Sequence, residues 1–157
     1  MWGVAQTGAA ARREPLGRRA AIVVTMTSAE TTEALIRRYF AIVADLASSE
    51  DELRAVLHPD AVLRELPNPI APTGHVRGVD ETVAGFLAGK ERLTEQRIDV
   101  LEVLVAGDRA AVRSVWHGRL GDTEITSHMA GFITVRDNRI AAHDTYDCYE
   151  PFALPGA

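Results

Sequence analysis

Residues 109–152 read RAAVRSVWHGRLGDTEITSHMAGFITVRDNRIAAHDTYDCYEPF. Polar and apolar residues alternate in three runs, 109–119, 123–136 and 139–149. Alternation with a period of two predicts β-strands, and connections of a few residues are too short for a parallel crossover. We therefore predict an antiparallel meander that ends in a strand carrying the acid Asp144.

Two short turns allow the register of this meander to be estimated. If Gly121-Asp122 and Asp137-Asn138 are two-residue hairpin loops, Trp116 pairs with Ser127 and Gly131 pairs with Asp144. Side chains alternate between the faces of a sheet, so this register predicts an inner, mostly apolar face. Its members are Val112, Ser114, Trp116, Met129, Gly131, Ile133, Val135, Ile140, Ala142, Asp144, Tyr146 and Cys148. The outer face would carry His117, His128, His143, Thr145 and Asp147, and a slip of one residue would exchange the two sets.

The earlier part of the chain reads as helical, with one strand. Apolar residues recur at helical spacing over residues 30–47, which predicts a long amphipathic helix. Ser49 and Glu52 have the spacing of a capping box ahead of a second, short helix. A strand is predicted over residues 61–66, a proline-rich loop over 67–78, then a third helix and a strand over 98–105. Helices followed by an antiparallel meander predict an α+β fold with the helices covering one face of the sheet.

Composition excludes several classes of partner. The chain has 157 residues, of which 46% are hydrophobic and 25% charged, and its formal net charge is −5. We therefore expect no nucleic acid as partner and no anionic membrane surface, because a negatively charged protein is not attracted to either. A membrane span is not expected either, since no apolar run approaches the ~20 residues that it requires. The single cysteine, Cys148, cannot form an internal disulfide, so we expect a cytoplasmic protein.

The domain boundary is predicted near Met26. Residues 1–25 are rich in alanine, glycine and arginine, show no sustained period, and lack an apolar stretch long enough for a secretory signal. We expect them to be a disordered or non-native N-terminal extension, followed by a single domain over residues 26–157.

A metal site is not expected. His117, His128 and His143 share the predicted outer face, but the predicted register separates His128 from His143 by ~13 Å, too far for one ion to join them. The chain has no glycine-rich phosphate loop and no nucleophile turn of the Gly-x-Ser-x-Gly type. We therefore expect no metal and no cofactor.

Two acids and one phenol are the better candidates for chemistry. Asp144 is predicted among apolar residues, where burial would raise the pKa of its carboxyl group toward neutrality. Glu65 lies on the early strand, beside the proline-rich loop, and Tyr39 lies on the apolar stripe of the first helix. Two of the three also have a structural interpretation: Asp144 could pair with Arg64, and Tyr39 could simply pack in the core.

The element order and the closing strand, of the form Arg-Ile-x-x-x-Asp-x-Tyr-Asp, resemble the SnoaL-like and ketosteroid isomerase-like proteins of the nuclear transport factor 2-like superfamily. The resemblance covers about residues 29–152. It implies a cone-shaped fold in which a curved antiparallel sheet wraps a long N-terminal helix and leaves an apolar pocket. It also implies a homodimer formed through the sheet.

Individual positions follow from this resemblance. Tyr39, within Arg38-Tyr39-Phe40-Ala41, is similar to the tyrosine with which ketosteroid isomerases bind an enolate oxygen, and Glu65 falls at the position of their general base. Their third group, an aspartate, has no counterpart. Asp144 matches the catalytic aspartate of limonene epoxide hydrolases, but Ser114, Trp116 and Leu63 stand where the other catalytic residues of those enzymes would be, so epoxide hydrolysis is not expected.

The predicted function is acid–base chemistry without a cofactor on a hydrophobic, cyclic or polyketide-like small molecule, as an isomerase, lyase or cyclase. Glu65, Asp144 and Tyr39 are the predicted catalytic residues. Trp116, Met129, Tyr146 and Phe86 would form the apolar walls, and Asn68 and His75 would lie on the rim. The alternative is a ligand-binding or dimerisation domain of the same fold without catalysis.

Overall fold

The computed structural model describes residues 28–153, and within them three helices and six strands. The predicted α+β class is confirmed. The predicted extension over residues 1–25 lies outside the described residues. In chain order the elements are α1 (Ser28–Ala44), α2 (Glu50–Val56), β1 (Leu57–Glu65), β2 (His75–Arg77), α3 (Val79–Arg92), β3 (Glu95–Ala106), β4 (Arg109–Leu120), β5 (Thr123–Arg136) and β6 (Arg139–Tyr149).

The described strands form one open, curved sheet in the order β2-β1-β6-β5-β4-β3. Neighbours from β3 to β6 are antiparallel, as predicted for the meander. The exception is β1, which pairs parallel with β6 and antiparallel with β2. The sheet is therefore mixed. A parallel pair is possible here because β1 and β6 are far apart in the chain and no hairpin connects them.

The long helix α1 supplies the centre of the core. Ile36, Tyr39 and Phe40 are buried, whereas Arg37 and Arg38 on the other side are exposed. Ile36 is 0% exposed, and burying a side chain of this size contributes about 1.5–3 kcal/mol to stability. Residues of the sheet and of α2 complete the same cluster, among them Leu53, Val56, Val112, Ile133 and Ile140.

The capping box predicted for the second helix is confirmed. Ser49 accepts a hydrogen bond from the backbone N–H of Glu52, and the Glu52 carboxylate accepts one from the N–H of Ser49. The predicted loop over residues 67–78 is shorter than expected, because β2 pairs along the edge of β1. Gly74, directly before β2, has a φ of +63°, which favours glycine. It lies so close to β1 that a Cβ there would be 2.5 Å from the carbonyl oxygen of Glu65.

The first predicted hairpin register is confirmed and the second is wrong by one residue. Trp116 lies opposite Ser127, as predicted. The turn at Asp137 and Asn138 also has the expected form, with φ values of 51° and 54°. However, Gly131 pairs with Thr145 and not with Asp144.

A β-bulge at Ala141 explains the error. Val135 pairs with Ile140, but the next residue of β5, Thr134, pairs with Ala142, so Ala141 is the extra residue on β6. An extra residue reverses the alternation of every side chain that follows it. From residue 142 onward the predicted faces of β6 are exchanged, and His143, Thr145 and Asp147 point toward the helices.

Candidate active site

A cavity of about 350 Å³ opens between α1, α3 and the inner face of the sheet. This volume lies within the range of small-molecule sites, which are typically apolar clefts with a few polar groups. The apolar part of the wall comes from the three helices, β1 and the inner sheet face: Phe40, Val43, Leu53, Leu63, Phe86, Ile98, Trp116 and Met129. Trp116, Met129 and Phe86 therefore lie where the sequence predicts a wall, and their contact with a ligand stays a prediction.

Trp116 is held in one orientation by its neighbours. Its indole N–H donates to the side-chain oxygen of Gln96 at 3.1 Å, and the amide nitrogen of Gln96 donates to the carbonyl of Val43 at 2.8 Å. The ring lies across Gly118, where a Cβ would collide with it. The tryptophan is thus fixed between α1 and the sheet before any ligand enters.

A buried chain of polar side chains runs from α1 to β6. The Tyr39 hydroxyl lies 3.2 Å from Nδ1 of His143, and Nε2 of His143 lies 3.3 Å from the hydroxyl of Thr145. Burial lowers the pKa of His143 to about 4, against an opposing contribution from Asp144, so the imidazole is neutral near pH 7. Burial also raises the pKa of Tyr39, which stays a neutral phenol.

The tautomer of His143 determines what Tyr39 can do. A neutral imidazole carries one N–H. If Nδ1 carries it, that N–H donates to Tyr39 and leaves the phenol O–H free to donate into the cavity. If Nε2 carries it, the N–H donates to Thr145 and the Tyr39 O–H is used up on Nδ1. The arrangement can therefore switch Tyr39 between a hydrogen-bond donor and an acceptor.

Gly131 makes this chain possible. It lies on β5 beside His143, and a Cβ on it would be only 2.6 Å from Nε2 of His143. A glycine inside a strand commonly marks such a close approach. In the sequence, Gly131 was the signal that could have indicated this packing. A glycine on the inner face of β5 suggests that a large side chain of the neighbouring strand, here His143, occupies the space beside it.

Glu65 lies on the cavity wall at the end of β1, and Asn68 holds it there. The Asn68 amide donates to Glu65 Oε1 at 2.8 Å and to the carbonyl of Leu66 at 3.2 Å. Its oxygen accepts from the N–H groups of Ile70 and Ala71. Asn68 is buried and absent from the cavity wall, so its predicted place on the rim is corrected: its hydrogen bonds are used to shape the loop and to orient Glu65.

Asp147 is the second carboxylate on the cavity wall. Burial, followed by the charge of Glu65, raises the pKa of Asp147 to about 6. The described residues offer its side chain neither a hydrogen bond nor an ion pair. Burial and the charges of Asp147 and Glu65 also raise the pKa of Tyr149, which lies on the same face. A carboxyl group with these properties can exchange protons near neutrality.

Asp144 and Tyr146 do not reach the cavity, which corrects two predicted site residues. Asp144 points to the other face of the sheet and lies 3.5 Å from Arg64, with 40% of its side chain exposed. Tyr146 is 46% exposed there, and its ring meets the ring of Phe132 edge to face. The bulge at Ala141 is the physical reason for both errors.

The predicted rim residue His75 and the unpredicted Arg77 both lie on the cavity wall, and the Arg77 guanidinium brings positive charge to it. Both belong to β2 and lie on its inner side, opposite Glu65 and Leu63 respectively. His75 is exposed, whereas Arg77 is half-buried. The sequence carried no signal for Arg77, because the short strand that turns it inward was predicted as loop.

Two further observations concern alternative kinds of site. Within residues 28–153 no group of three or more histidine, cysteine, aspartate or glutamate side chains is arranged to hold a metal ion. In the same part of the chain no helix combines the length and apolar character that crossing a bilayer requires.

Comparisons with known proteins agree with this architecture. Residues 36–143 match the family model of the SnoaL-like domain. Among curated proteins none matches the chain significantly. Solved structures that resemble it include an LEH-like epoxide hydrolase of M. tuberculosis, 14% identical over 78% of this chain and 86% of that one, with a TM-score of 0.66.

Two further similar structures are candidate polyketide cyclases. One is IdmH of Streptomyces antibioticus, 21% identical over 74% of this chain and 91% of that one, with a TM-score of 0.60. The other is a protein of Sinorhizobium meliloti, 26% identical over 72% of this chain and 94% of that one, with a TM-score of 0.54. At these identities the likeness concerns the fold.

Proposed function

This chain belongs to the SnoaL-like domain family, and we propose that it is an acid–base enzyme that needs no cofactor and acts on a hydrophobic, cyclic or polyketide-like molecule. The reaction would be an isomerisation, elimination or cyclisation. One observation carries the proposal: two carboxylates, Glu65 and Asp147, share an apolar-walled cavity with the buried hydroxyl of Tyr39, and the pKa of Asp147 is raised to about 6.

Asp147 is the proton acceptor in this mechanism. A base with a pKa near the working pH removes a proton efficiently and can return it, as a general acid, at another position of the substrate. Glu65 contributes its charge, which helps to keep the pKa of Asp147 high. The role assigned to Asp144 from sequence passes to Asp147, three residues later on the strand.

Tyr39 is the group that stabilises negative charge. When a proton leaves carbon next to a carbonyl, charge develops on the carbonyl oxygen, and a pre-oriented neutral donor lowers the barrier. The phenol can donate when the His143 proton is on Nδ1, and the Thr145 hydroxyl can then donate to the free Nε2. His143 is thus a positioning residue for Tyr39.

The proposal predicts that the protein accelerates exchange of the α-protons of a neutral cyclic ketone, β-tetralone, with heavy water, as followed by NMR. Glu65→Gln removes the negative charge beside Asp147 and should lower the pKa that governs the reaction. We expect the acidic limb of the pH–rate profile to move to lower pH. Asp144→Asn is the matched control, since this acid lies outside the cavity, and it should leave the profile unchanged.

Two outcomes would contradict this. If the protein does not accelerate exchange although the ketone binds, the alternative of a ligand-binding domain without catalysis is correct. If Asp144→Asn moves the profile and Glu65→Gln does not, the assignment of the cavity acids is wrong.

We also propose that two copies of the chain pair through the outer face of the sheet. This face exposes Leu101, Leu104, Phe132 and Tyr146, of which Phe132 is 54% exposed, and contiguous exposed apolar patches commonly mark protein interaction sites. Arg113 and Glu102 form an ion pair beside it.

Sedimentation equilibrium tests the pairing. We expect a dimer for the unmodified chain and a monomer for Tyr146→Lys, because the substitution places a charge within the buried patch. Leu87→Lys is the control, since Leu87 is similarly exposed at 40% but lies on α3. A monomeric unmodified chain, or dissociation by the control alone, would count against this interface.

A further inference from the structure

Arg77 is a half-buried cation on the cavity wall, and its guanidinium packs against Gly85 of α3. Its partner across the strand pair is Leu63, and its side chain reaches Gly85, where a Cβ would lie 2.9 Å from Nη1 of the guanidinium. Any larger residue at position 85 would push the guanidinium away. The glycine therefore makes room for the charge at this place.

The other half-buried arginines of the described region are neutralised by acids. Arg54 lies 2.8 Å from Asp80, and Arg119 is paired with Glu95 and Glu124. Arg77 has no carboxylate partner among residues 28–153. Partial burial of an arginine without a counter-charge costs free energy, which an anion bound in the cavity would recover.

Glu65 is the acid that shares the cavity wall with Arg77 on the neighbouring strand, and its carboxylate is bound by Asn68 instead. Glu65 pairs across the strands with His75, so Arg77 is its diagonal neighbour. The Cα atoms of such diagonal neighbours are roughly 7–8 Å apart. Its Oε1 accepts from Asn68, and no ion pair joins it to Arg77. Arg64, the other arginine on the cavity wall, lies 3.5 Å from Asp144. The wall therefore carries one guanidinium without a carboxylate partner in the described region, that of Arg77 next to α3, and two acids near the end of β1 and on β6.

We propose that the ligand of this cavity carries a carboxylate, which binds Arg77, on an apolar body whose reactive end faces Glu65 and Asp147. The inference rests on the proposed function and names its substrate class, a hydrophobic carboxylic acid. A guanidinium matches the planar carboxylate with two parallel hydrogen bonds. A phosphate fits less well, because its second negative charge would be repelled by the two acids of the same cavity.

A matched pair of probes tests this: naphthylacetic acid and its neutral amide, which share one apolar body. Their affinities are measured by titration calorimetry. We expect the unmodified protein to bind the acid about tenfold or more tightly than the amide. Arg77→Gln should abolish that preference while leaving the affinity for the amide within about twofold, because the apolar walls are unchanged.

Two further variants separate the guanidinium from general effects of charge. Gly85→Ala keeps Arg77 but places a methyl group against Nη1, so it should reduce the preference for the acid while it strengthens the helix. Arg113→Gln removes an arginine from the outer face, where it pairs with Glu102 at 3.5 Å, and should keep the preference.

An acid that binds the unmodified protein no more tightly than the amide overturns the proposal, and so does a preference that survives Arg77→Gln. The proposed function fails on a different result, the absence of proton exchange on the neutral ketone, which has no group for Arg77 to bind.

Discussion

Replacing Asp147 by asparagine should abolish proton transfer and at the same time stabilise the fold. Asparagine keeps the shape of the side chain but cannot accept the proton, and losing a general base typically lowers the rate by about 10²–10⁴-fold. The stability gain follows from the raised pKa of Asp147, because ionising a partly buried carboxyl group next to Glu65 costs the folded protein free energy.

The direction of the pH effect is determined by the two pKa values. The pKa of Asp147 is about 6 in the fold and 3.8 for the free side chain, so between these values the folded state holds a proton that the unfolded chain has released. The favourable contribution is complete below about pH 4 and is lost as the pH rises through about 6. The advantage of Asp147→Asn should therefore be absent near pH 4 and reach about 1–2 kcal/mol above pH 7, after allowance for solvent screening.

Thermal unfolding of the two proteins from pH 4 to pH 8 measures this difference, and exchange on β-tetralone measures the activity. Asp144→Asn again serves as the control, since Asp144 lies at the surface beside Arg64. It should leave the rate unchanged and gain no stability at high pH. A difference between Asp147→Asn and the unmodified protein that does not vary with pH would show that Asp147 ionises freely, and the acid–base assignment would then fall.

Gly131→Ala should destabilise the protein by about 1–3 kcal/mol, the usual cost of forcing an extra methyl group into a packed site. The new methyl would lie 2.6 Å from Nε2 of His143. The imidazole cannot swing away easily, because the rings of Tyr39 and Phe40 contact it edge to face with centroids 5.6 and 5.7 Å apart. We also expect slower exchange on the ketone, since Tyr39 loses the partner that orients it.

A double-mutant cycle isolates the collision. In a His143→Ala background the ring is gone, so Gly131→Ala should cost almost nothing in the free energy of unfolding measured with urea. Gly89→Ala on α3 is the control: a Cβ at this position would meet nothing within 4 Å, and alanine should stabilise the helix by about 0.5–1 kcal/mol. If Gly131→Ala costs as much without His143 as with it, the packing argument is wrong.

The elements of the fold could be predicted because each depends on nearby residues. The period of two in residues 109–149 predicts the strands, and the turn at Asp137 and Asn138 adopts the left-handed conformation that these residues tolerate. The capping box of Ser49 and Glu52 likewise lies within four residues. The positions of Tyr39, Glu65, Trp116 and Met129 followed from these elements and from the family resemblance, and all four lie on the cavity wall.

The contents of the cavity were harder to predict, because they depend on long-range pairing. The bulge at Ala141 involves no proline or glycine on its own strand, and only the pairing with β5 reveals it. Its effect is large, since one extra residue replaces Asp144 and Tyr146 on the inner face by His143, Thr145 and Asp147. Arg77 was missed for a related reason: β2 is three residues long and becomes a strand only by pairing with the edge of β1.

By itself, then, the sequence determined the α+β class and, apart from β2, the order of the helices and strands, since local periodicity, capping and turn residues encode these features. The apolar pocket and the acids near it were implied by the family resemblance. Only the tertiary structure decided which acids enter the pocket. Successive side chains of a strand point to alternate faces of the sheet, so the face of each one depends on the register with the neighbouring strand. A single β-bulge shifts that register by one residue. The closing strand carries one acid at an even position, Asp144, and one at an odd position, Asp147, so the two point to opposite faces of the sheet. The pairing of β5 with β6 placed Asp147 on the inner face.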